Sequence, residues 1–286
     1  VKQPYITAER LDEFIRSAFK EDVGEGDHST LAAIPPNAEG KAQLLIKENG
    51  IIAGLSLAKN IFHHFDPSLK VNLLLKDGQQ VKKGDVGLTV SGKAASILTT
   101  ERLVLNCLQR MSGIATYTHK LTQQINHTPT KLLDTRKTTP NFRMMEKWAV
   151  HLGGGKNHRY ALYDMIMLKD NHIDFAGGIR SAIQATQAYL KEKNLPLKIE
   201  VETRSLQEVK EVLEIGGVDV IMLDNMDCPT MKKAVEMIGG KFKTEASGGI
   251  TEDTLKEVAE CGVDYISVGA LTHQVKSLDI SLKAVK

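Results

Sequence analysis

From Lys131 onward, six short apolar runs recur at intervals suited to successive strand–helix units, and no other feature of the chain narrows its fold as much. The runs are Lys131–Asp134, Met165–Leu168, Lys198–Glu202, Val218–Leu223, Phe242–Ala246 and Tyr265–Val268, starting 34, 33, 20, 24 and 23 residues apart. Between them lie helix patterns such as Leu206, Val209, Val212 and Leu213, or Leu255, Val258 and Ala259. Strands alternating with helices predict a parallel sheet covered on both faces. Six units with no GxGxxG after the first favour a barrel over an open dinucleotide-binding sheet. Six clear strands rather than eight leave open an incomplete α/β barrel, of six to seven strands, or a variant one.

The residues before this point read differently. Thr7 is a candidate N-cap for a helix carrying Leu11, Phe14, Ile15, Ala18 and Phe19 at helical spacing. After a polar loop, Ala42, Leu44 and Ile46 alternate as in a half-buried strand, and Asn49-Gly50 predicts a hairpin turn into Ile51 and Ile52. A short helix near Ser56–Phe65 and a strand at Val71–Leu75 follow. Asp77-Gly78 and Gly84-Asp85 then punctuate a hairpin ending near Val90. This is an α+β pattern with a mainly antiparallel sheet. A long helix is expected from Ala95 to about Met111, interrupted at Ser112-Gly113 and resuming toward Ile125. The expected organisation is an N-terminal α/β (α+β) sandwich over 1–112, a barrel over 113–275 and a C-terminal helix over 276–286 packing back on the N-terminal domain.

Charge and cysteine content bound the function. Lys and Arg number 37 against 35 Asp and Glu, so global charge gives no case for nucleic acid or an anionic membrane as partner. No apolar run approaches the roughly 18 residues of a membrane span, and Val1–Arg10 has no signal-peptide core. Cys107, Cys228 and Cys261 are scattered and lack CxxC spacing, which suits a reducing cytoplasm. The charge is uneven, however. Lys131, Arg136, Lys137, Arg143, Lys147, Lys156, Arg159 and Lys169 are opposed within that stretch only by Asp134, Glu146, Asp164 and Asp170. Either this is a solvated face or it lines a pocket for a polyanionic small molecule.

The strand ends favour the pocket. The first run ends in Asp134-Thr135-Arg136-Lys137 and the second in Lys169-Asp170-Asn171-His172. The third carries Glu200 and Glu202 on one face, with Ile199 and Val201 on the other. The last three end in Asp224-Asn225, Ser247-Gly248-Gly249 and Gly269-Ala270. In α/β barrels the C-terminal strand ends converge on the active site, and the last two connections commonly hold phosphate. Glycine lets the backbone approach an anion, and a helix starting near Thr251-Glu252 would direct N–H groups at it. Gly153-Gly154-Gly155 reads as a flexible connection or a second phosphate cradle. Glu202 and Asp224 suit vicinal sugar hydroxyls and Mg²⁺, or else a barrel-interior ion pair with Lys169. Arg136, Lys137, His158 and Arg159 suit a carboxylated partner, since a guanidinium binds a carboxylate with two hydrogen bonds.

Several of these runs together resemble the quinolinate phosphoribosyltransferase family. They are Glu101-Arg102…Asn106…Ser112-Gly113-Ile114-Ala115-Thr116, Asp134-Thr135-Arg136-Lys137-Thr138 and Gly153-Gly154-Gly155…Asn157-His158-Arg159. Leu168-Lys169-Asp170-Asn171-His172, Glu200-Val201-Glu202, Leu223-Asp224-Asn225, Ser247-Gly248-Gly249 and Val268-Gly269-Ala270-Leu271-Thr272-His273 complete the set, in order along the chain. An extra glycine at Gly216-Gly217 lies away from the barrel mouth.

The resemblance implies that quinolinate and phosphoribosyl pyrophosphate give nicotinate mononucleotide, pyrophosphate and CO₂, with Mg²⁺ and no organic cofactor. It implies that Arg102, Arg136, His158 and Arg159 hold the quinolinate carboxylates, with Lys137 and Lys169 completing the basic pocket. Glu202 and Asp224 would hold ribose hydroxyls and metal, while Ser247, Gly248, Gly249, Gly269, Ala270 and His273 would hold phosphate and Lys169 would reach the sugar diphosphate. It further implies a homodimer or higher homo-oligomer, formed through the N-terminal domain, in which Arg102 acts on the partner's site. A related phosphoribosyltransferase acting on another carboxylated ring is the alternative. Asp77-Gly78…Val81-Lys82-Lys83-Gly84-Asp85 is similar to one hairpin of lipoyl carrier modules, but no lysine follows at an exposed hairpin tip, where Ser91-Gly92-Lys93 runs into helix.

Overall fold

Thr7 opens the first helix, Ala8–Asp22, by accepting the Arg10 N–H at 3.2 Å. The computed structural model describes residues 3–285; Val1, Lys2 and Lys286 lie outside them. Five strands follow before the long helix: β1 Glu39–Ile46, β2 Gly50–Ile51, β3 Lys70–Leu73, β4 Gln80–Val81 and β5 Val86–Lys93. Six more form the second half: β6 Lys131–Leu133, β7 Ile166–Leu168, β8 Ile199–Thr203, β9 Val220–Asp224, β10 Lys243–Ser247 and β11 Tyr265–Ser267.

Two compact units share the chain discontinuously. The first takes the residues up to His119, then Lys137–Gly154 and everything from Ala270; the second takes Lys120–Arg136 and Gly155–Gly269. The expected contiguous division at 112/113 therefore differs from the packing.

In the first unit an antiparallel sheet runs in the order C-terminal strand (Ile280–Ala284), β1, β5, β3. The expected C-terminal helix is thus a strand. Ile280 and Leu282 alternate with polar residues, and they pair with Ile46 and Leu44 of β1 to bury one face. Asn49-Gly50 makes no hairpin onto β1 either: β2 pairs with β4, and the Asn49 side chain accepts the Lys83 N–H at 2.9 Å. Asp77 acts at a distance, accepting the N–H groups of Gly54 and Leu55 at 2.7 Å each and so capping helix Leu55–Phe65.

The long helix Ala94–Gln124 passes through Ser112-Gly113 without a break. Gly113 is there for close approach, because a side chain would run into the Lys276 carbonyl. Ser112 reaches the other way, accepting the Ala53 N–H at 3.0 Å. Gly153 ends helix Arg143–Leu152 and packs on the Ala115 carbonyl of the long helix. It is a packing glycine rather than part of a flexible connection.

The second unit is the expected parallel sheet, ordered β6-β11-β10-β9-β8-β7, with all observed strands within two residues of the predicted runs. Every residue of β8 is buried, as a sheet covered on both faces requires. Beyond β6 the segment around Lys156 adds a single parallel bridge to Leu133, and the Arg159 guanidinium then donates to the Met165 carbonyl at 3.1 Å, just before β7. The barrel is therefore incomplete: six strands, with one stave reduced to a bridge.

Candidate active site

Parallel pairing places all the β-strand C-termini of the second unit at one end of its sheet. Asp134 follows β6 directly and is fully buried. It accepts the His158 backbone N–H at 2.9 Å and the Asn157 amide at 2.6 Å, which folds the 157–159 loop against the strand end. Arg136 and Arg159 face each other electrostatically. Burial, and then the charge of Arg136, pull the Arg159 guanidinium below its ordinary value, with Glu200 and Asp164 opposing. The buried Nε of Arg136 has no hydrogen-bond partner among the described residues. A guanidinium with an unused buried donor, within electrostatic reach of a second guanidinium, suits an anion.

His158 is oriented from three sides. Its Nε2 lies 2.8 Å from Glu200 Oε2 and 3.4 Å from Glu245 Oε2, and its Nδ1 accepts the Arg159 N–H at 2.7 Å. Both ring nitrogens are thus engaged by protein groups, whereas sequence reasoning placed His158 in the carboxylate clamp. Burial works against protonation of the ring, but its hydrogen bonds to Glu200 and Glu245 and their charges prevail and raise it. With Nδ1 accepting the Arg159 N–H, the ring hydrogen sits on Nε2 and points at the two carboxylates. Glu200 is itself pushed up to about 7, by burial first and then by Glu245, against the pull of His158.

Among the described residues, His158, Glu200 and Glu245 bring ligand atoms within 4.8 Å of one another, a spacing that suits a metal. A metal on Nε2 needs the ring hydrogen on Nδ1, where the Arg159 N–H already points. The trio is better described as a proton-sharing cluster. Glu245 was missed from sequence. Its only signal is that it stands two residues before Ser247, as Glu200 stands two before Glu202.

Glu202, one residue before the end of β8, and Asp224, the last residue of β9, lie within reach of each other's charge. Burial, followed by the Asp224 charge, raises the Glu202 carboxyl, while the Asp170 N–H (3.4 Å from Oε1) and the Lys169 charge act the other way. Lys169 begins helix Asp170–Phe175, where His172 Nδ1 accepts the Lys169 N–H at 3.0 Å. The glycine loop after β10 packs on Asn225, which holds φ 53° and donates its N–H to the Ser247 carbonyl at 2.9 Å. Gly248 has φ +94°, and a side chain there would strike Asn225; Gly249, at φ +60°, faces open space. The helix expected from Thr251 starts only at Leu255, because Thr251 and Thr254 hydrogen-bond each other in a turn.

Gly269 closes the second unit. Lys137, Ala270 and His273 belong to the first, as does Arg102, which is exposed on the long helix. His273 ends a four-residue helix, Ala270–His273.

Residues 27–112 match the family described as quinolinate phosphoribosyl transferase, N-terminal domain, and residues 114–283 its C-terminal domain. The chain is 49% identical over 298 residues to a nicotinate-nucleotide pyrophosphorylase [carboxylating], chloroplastic, of Arabidopsis thaliana, covering 99% of this chain and 85% of the relative. A protein of the same name from Oryza sativa subsp. japonica is 50% identical over 288 residues, covering 96% of this chain and 77% of the relative. The crystal structure of NadC from Streptococcus pyogenes superposes with a TM-score of 0.92 at 39% identity, over 99% of this chain and all of that one (100%). The chain belongs to the quinolinate phosphoribosyltransferase family.

Proposed function

We propose that the protein is a decarboxylating phosphoribosyltransferase that converts quinolinate and phosphoribosyl pyrophosphate to nicotinate mononucleotide, pyrophosphate and CO₂ in NAD biosynthesis. The observation that carries this reading is the Arg136–Arg159 pair, two cations in mutual repulsion with a buried Nε left for an anion. A ring dicarboxylate satisfies both guanidiniums at once, with Lys137 and Lys169 adding charge. His158 serves this clamp by fixing the loop that carries Arg159. Arg102, exposed on the long helix, reaches the clamp of a second subunit in a homodimer built on the N-terminal region.

Glu202 and Asp224 receive the ribose hydroxyls, and Ser247, Gly248, Gly249, Gly269, Ala270 and His273 the phosphate. Two nearby carboxylates, one of them raised by burial and then by the other's charge, are a hard-oxygen donor set that fits Mg²⁺. When bound, Mg²⁺ offsets negative charge on the departing pyrophosphate. Loss of pyrophosphate leaves positive charge on C1 and the ring oxygen, which the carboxylates beside the ribose favour. The pyridine nitrogen is a weak nucleophile, so orientation by the guanidiniums supplies much of the acceleration. Once ribosylated, the ring is cationic and stabilises the carbanion left by CO₂ loss. No step requires a covalent enzyme intermediate.

The described helices include none long and apolar enough to cross a membrane. Three free cysteines support a reducing compartment such as the cytoplasm.

Product analysis with phosphoribosyl pyrophosphate, Mg²⁺ and either quinolinate or nicotinate tests the reading. Nicotinate mononucleotide and CO₂ from quinolinate, with nicotinate unreacted, is the expected result. Turnover of nicotinate alone would overturn the dicarboxylate clamp, and turnover of neither would overturn the activity.

A further inference from the structure

The loop that follows β6 has no regular secondary structure between Asp134 and Pro140, so its backbone must find partners other than a ladder or a helix. Within the first unit, side chains from two helices, Ala270–His273 and Arg143–Leu152, hold three successive residues of the loop. Thr272, fully buried, donates its hydroxyl to the Lys137 carbonyl at 2.7 Å. Arg143 donates from Nε to Thr138 Oγ1 at 2.9 Å. Glu146, also fully buried, accepts the Thr139 N–H on Oε2 at 3.0 Å and the Thr139 hydroxyl on Oε1 at 2.9 Å.

The bracket is closed by Arg110 of the long helix. Its Nε and Nη2 donate to Glu146 Oε1 at 3.0 and 2.8 Å. The same guanidinium reaches the carbonyls of Thr272 and, at 3.0 Å, Val275. A single cation therefore joins the two anchors of the loop, Glu146 and the Thr272 segment. A buried carboxylate with four donors is an exacting way to hold a surface loop, and the loop it holds carries Lys137.

We infer that Thr272, Glu146 and Arg110 are positioning residues for Lys137 in the transfer reaction, an inference that rests on the proposed activity and on Lys137 taking part in it. Thr272 is the sharpest handle. Thr272→Val keeps the shape and removes only the hydroxyl, whereas Thr272→Ser keeps the hydroxyl.

The test is a double-mutant cycle on the full-length enzyme, measuring kcat and the KM of both substrates for the native protein, T272V, T272S, K137A and T272V/K137A. T272V is expected to lower kcat on the order of 10- to 100-fold, the scale of a misplaced reacting group, with KM changed less. T272S restores kcat, and T272V costs less than about twofold in the K137A background, because a residue that acts through Lys137 has nothing left to act on. Equal T272V effects in both backgrounds would mark a general structural defect and overturn the inference. This comparison remains decisive even where T272V lowers the melting temperature. K137A with native kcat would instead remove the role of Lys137 on which the inference stands. A T272V enzyme with native kcat beside a slow K137A would overturn the bracket alone.

Discussion

Asp134 Oδ1 accepts the backbone N–H of His158 at 2.9 Å, so a wholly buried carboxylate at the end of one strand sets the start of the loop that carries Arg159. Its other oxygen is committed to the Asn157 amide at 2.6 Å. Asp134→Ala strips both groups of this acceptor, and a buried group left without its partner costs about 1–3 kcal/mol. Thermal unfolding should show that loss, and quinolinate KM should rise as Arg159 is released from its place. A variant with native stability and native KM would show that the Asp134–His158 bond does not set the loop.

Glu200 predicts how stability depends on pH. Its carboxyl is pushed up to about 7 in the folded protein, mainly by burial, against an ordinary 4.5. Between those values the native state keeps a proton that the unfolded chain has released. The contribution is therefore fully present below about 4.5 and is lost as pH rises toward 7. Glu200→Gln resembles the protonated acid and does not titrate. The melting temperature of the variant minus that of the native protein should increase from pH 5 to 7.5. A pH-independent difference would contradict the raised carboxyl.

What was legible in the sequence is what local pattern encodes. The six runs of the parallel sheet could be read because buried strands are short, apolar and bounded by polar ends, and Glu200 and Glu202 share a face because side chains alternate. Distant partners were not legible. Ile280 and Leu282 become a strand only through β1, more than 230 residues earlier in the chain. Asp77 caps a helix that precedes it, and Asn49 serves Lys83 rather than a hairpin. At the site, acidic and basic residues at strand ends stood out, but Glu245 did not, since one acid in a strand says nothing until His158 is brought beside it. The ring nitrogens of His158 were likewise assigned outward from its type and are engaged inward in the fold.

Gly113 separates local propensity from packing. In a helix interior, Gly113→Ala should stabilise by roughly 0.8–1 kcal/mol on propensity alone. Here the added methyl meets the Lys276 carbonyl, and overpacking of this kind costs typically 1–3 kcal/mol. The packing term is the larger, so chemical denaturation should show a net loss of stability with an unchanged m-value. A gain would mean that the segment leading to the C-terminal strand yields freely.

Arg136 and Glu202 should fail in different ways when truncated. Arg136 supplies a guanidinium whose buried Nε awaits a partner and whose charge is felt by Arg159. Its loss removes binding that is present in the ground state, so Arg136→Ala should raise quinolinate KM on the order of 10- to 100-fold, the equivalent of about 1.4–2.8 kcal/mol, with kcat lowered less. Glu202, within reach of the Asp224 charge, is proposed to face the ribose, where positive charge develops only as pyrophosphate leaves. Glu202→Ala should therefore lower kcat and kcat/KM together while quinolinate KM stays within about twofold. Steady-state kinetics with both substrates varied separates the two cases. An unchanged quinolinate KM in Arg136→Ala would remove the clamp, and a pure KM effect in Glu202→Ala would place that carboxylate in substrate binding instead of the transfer step.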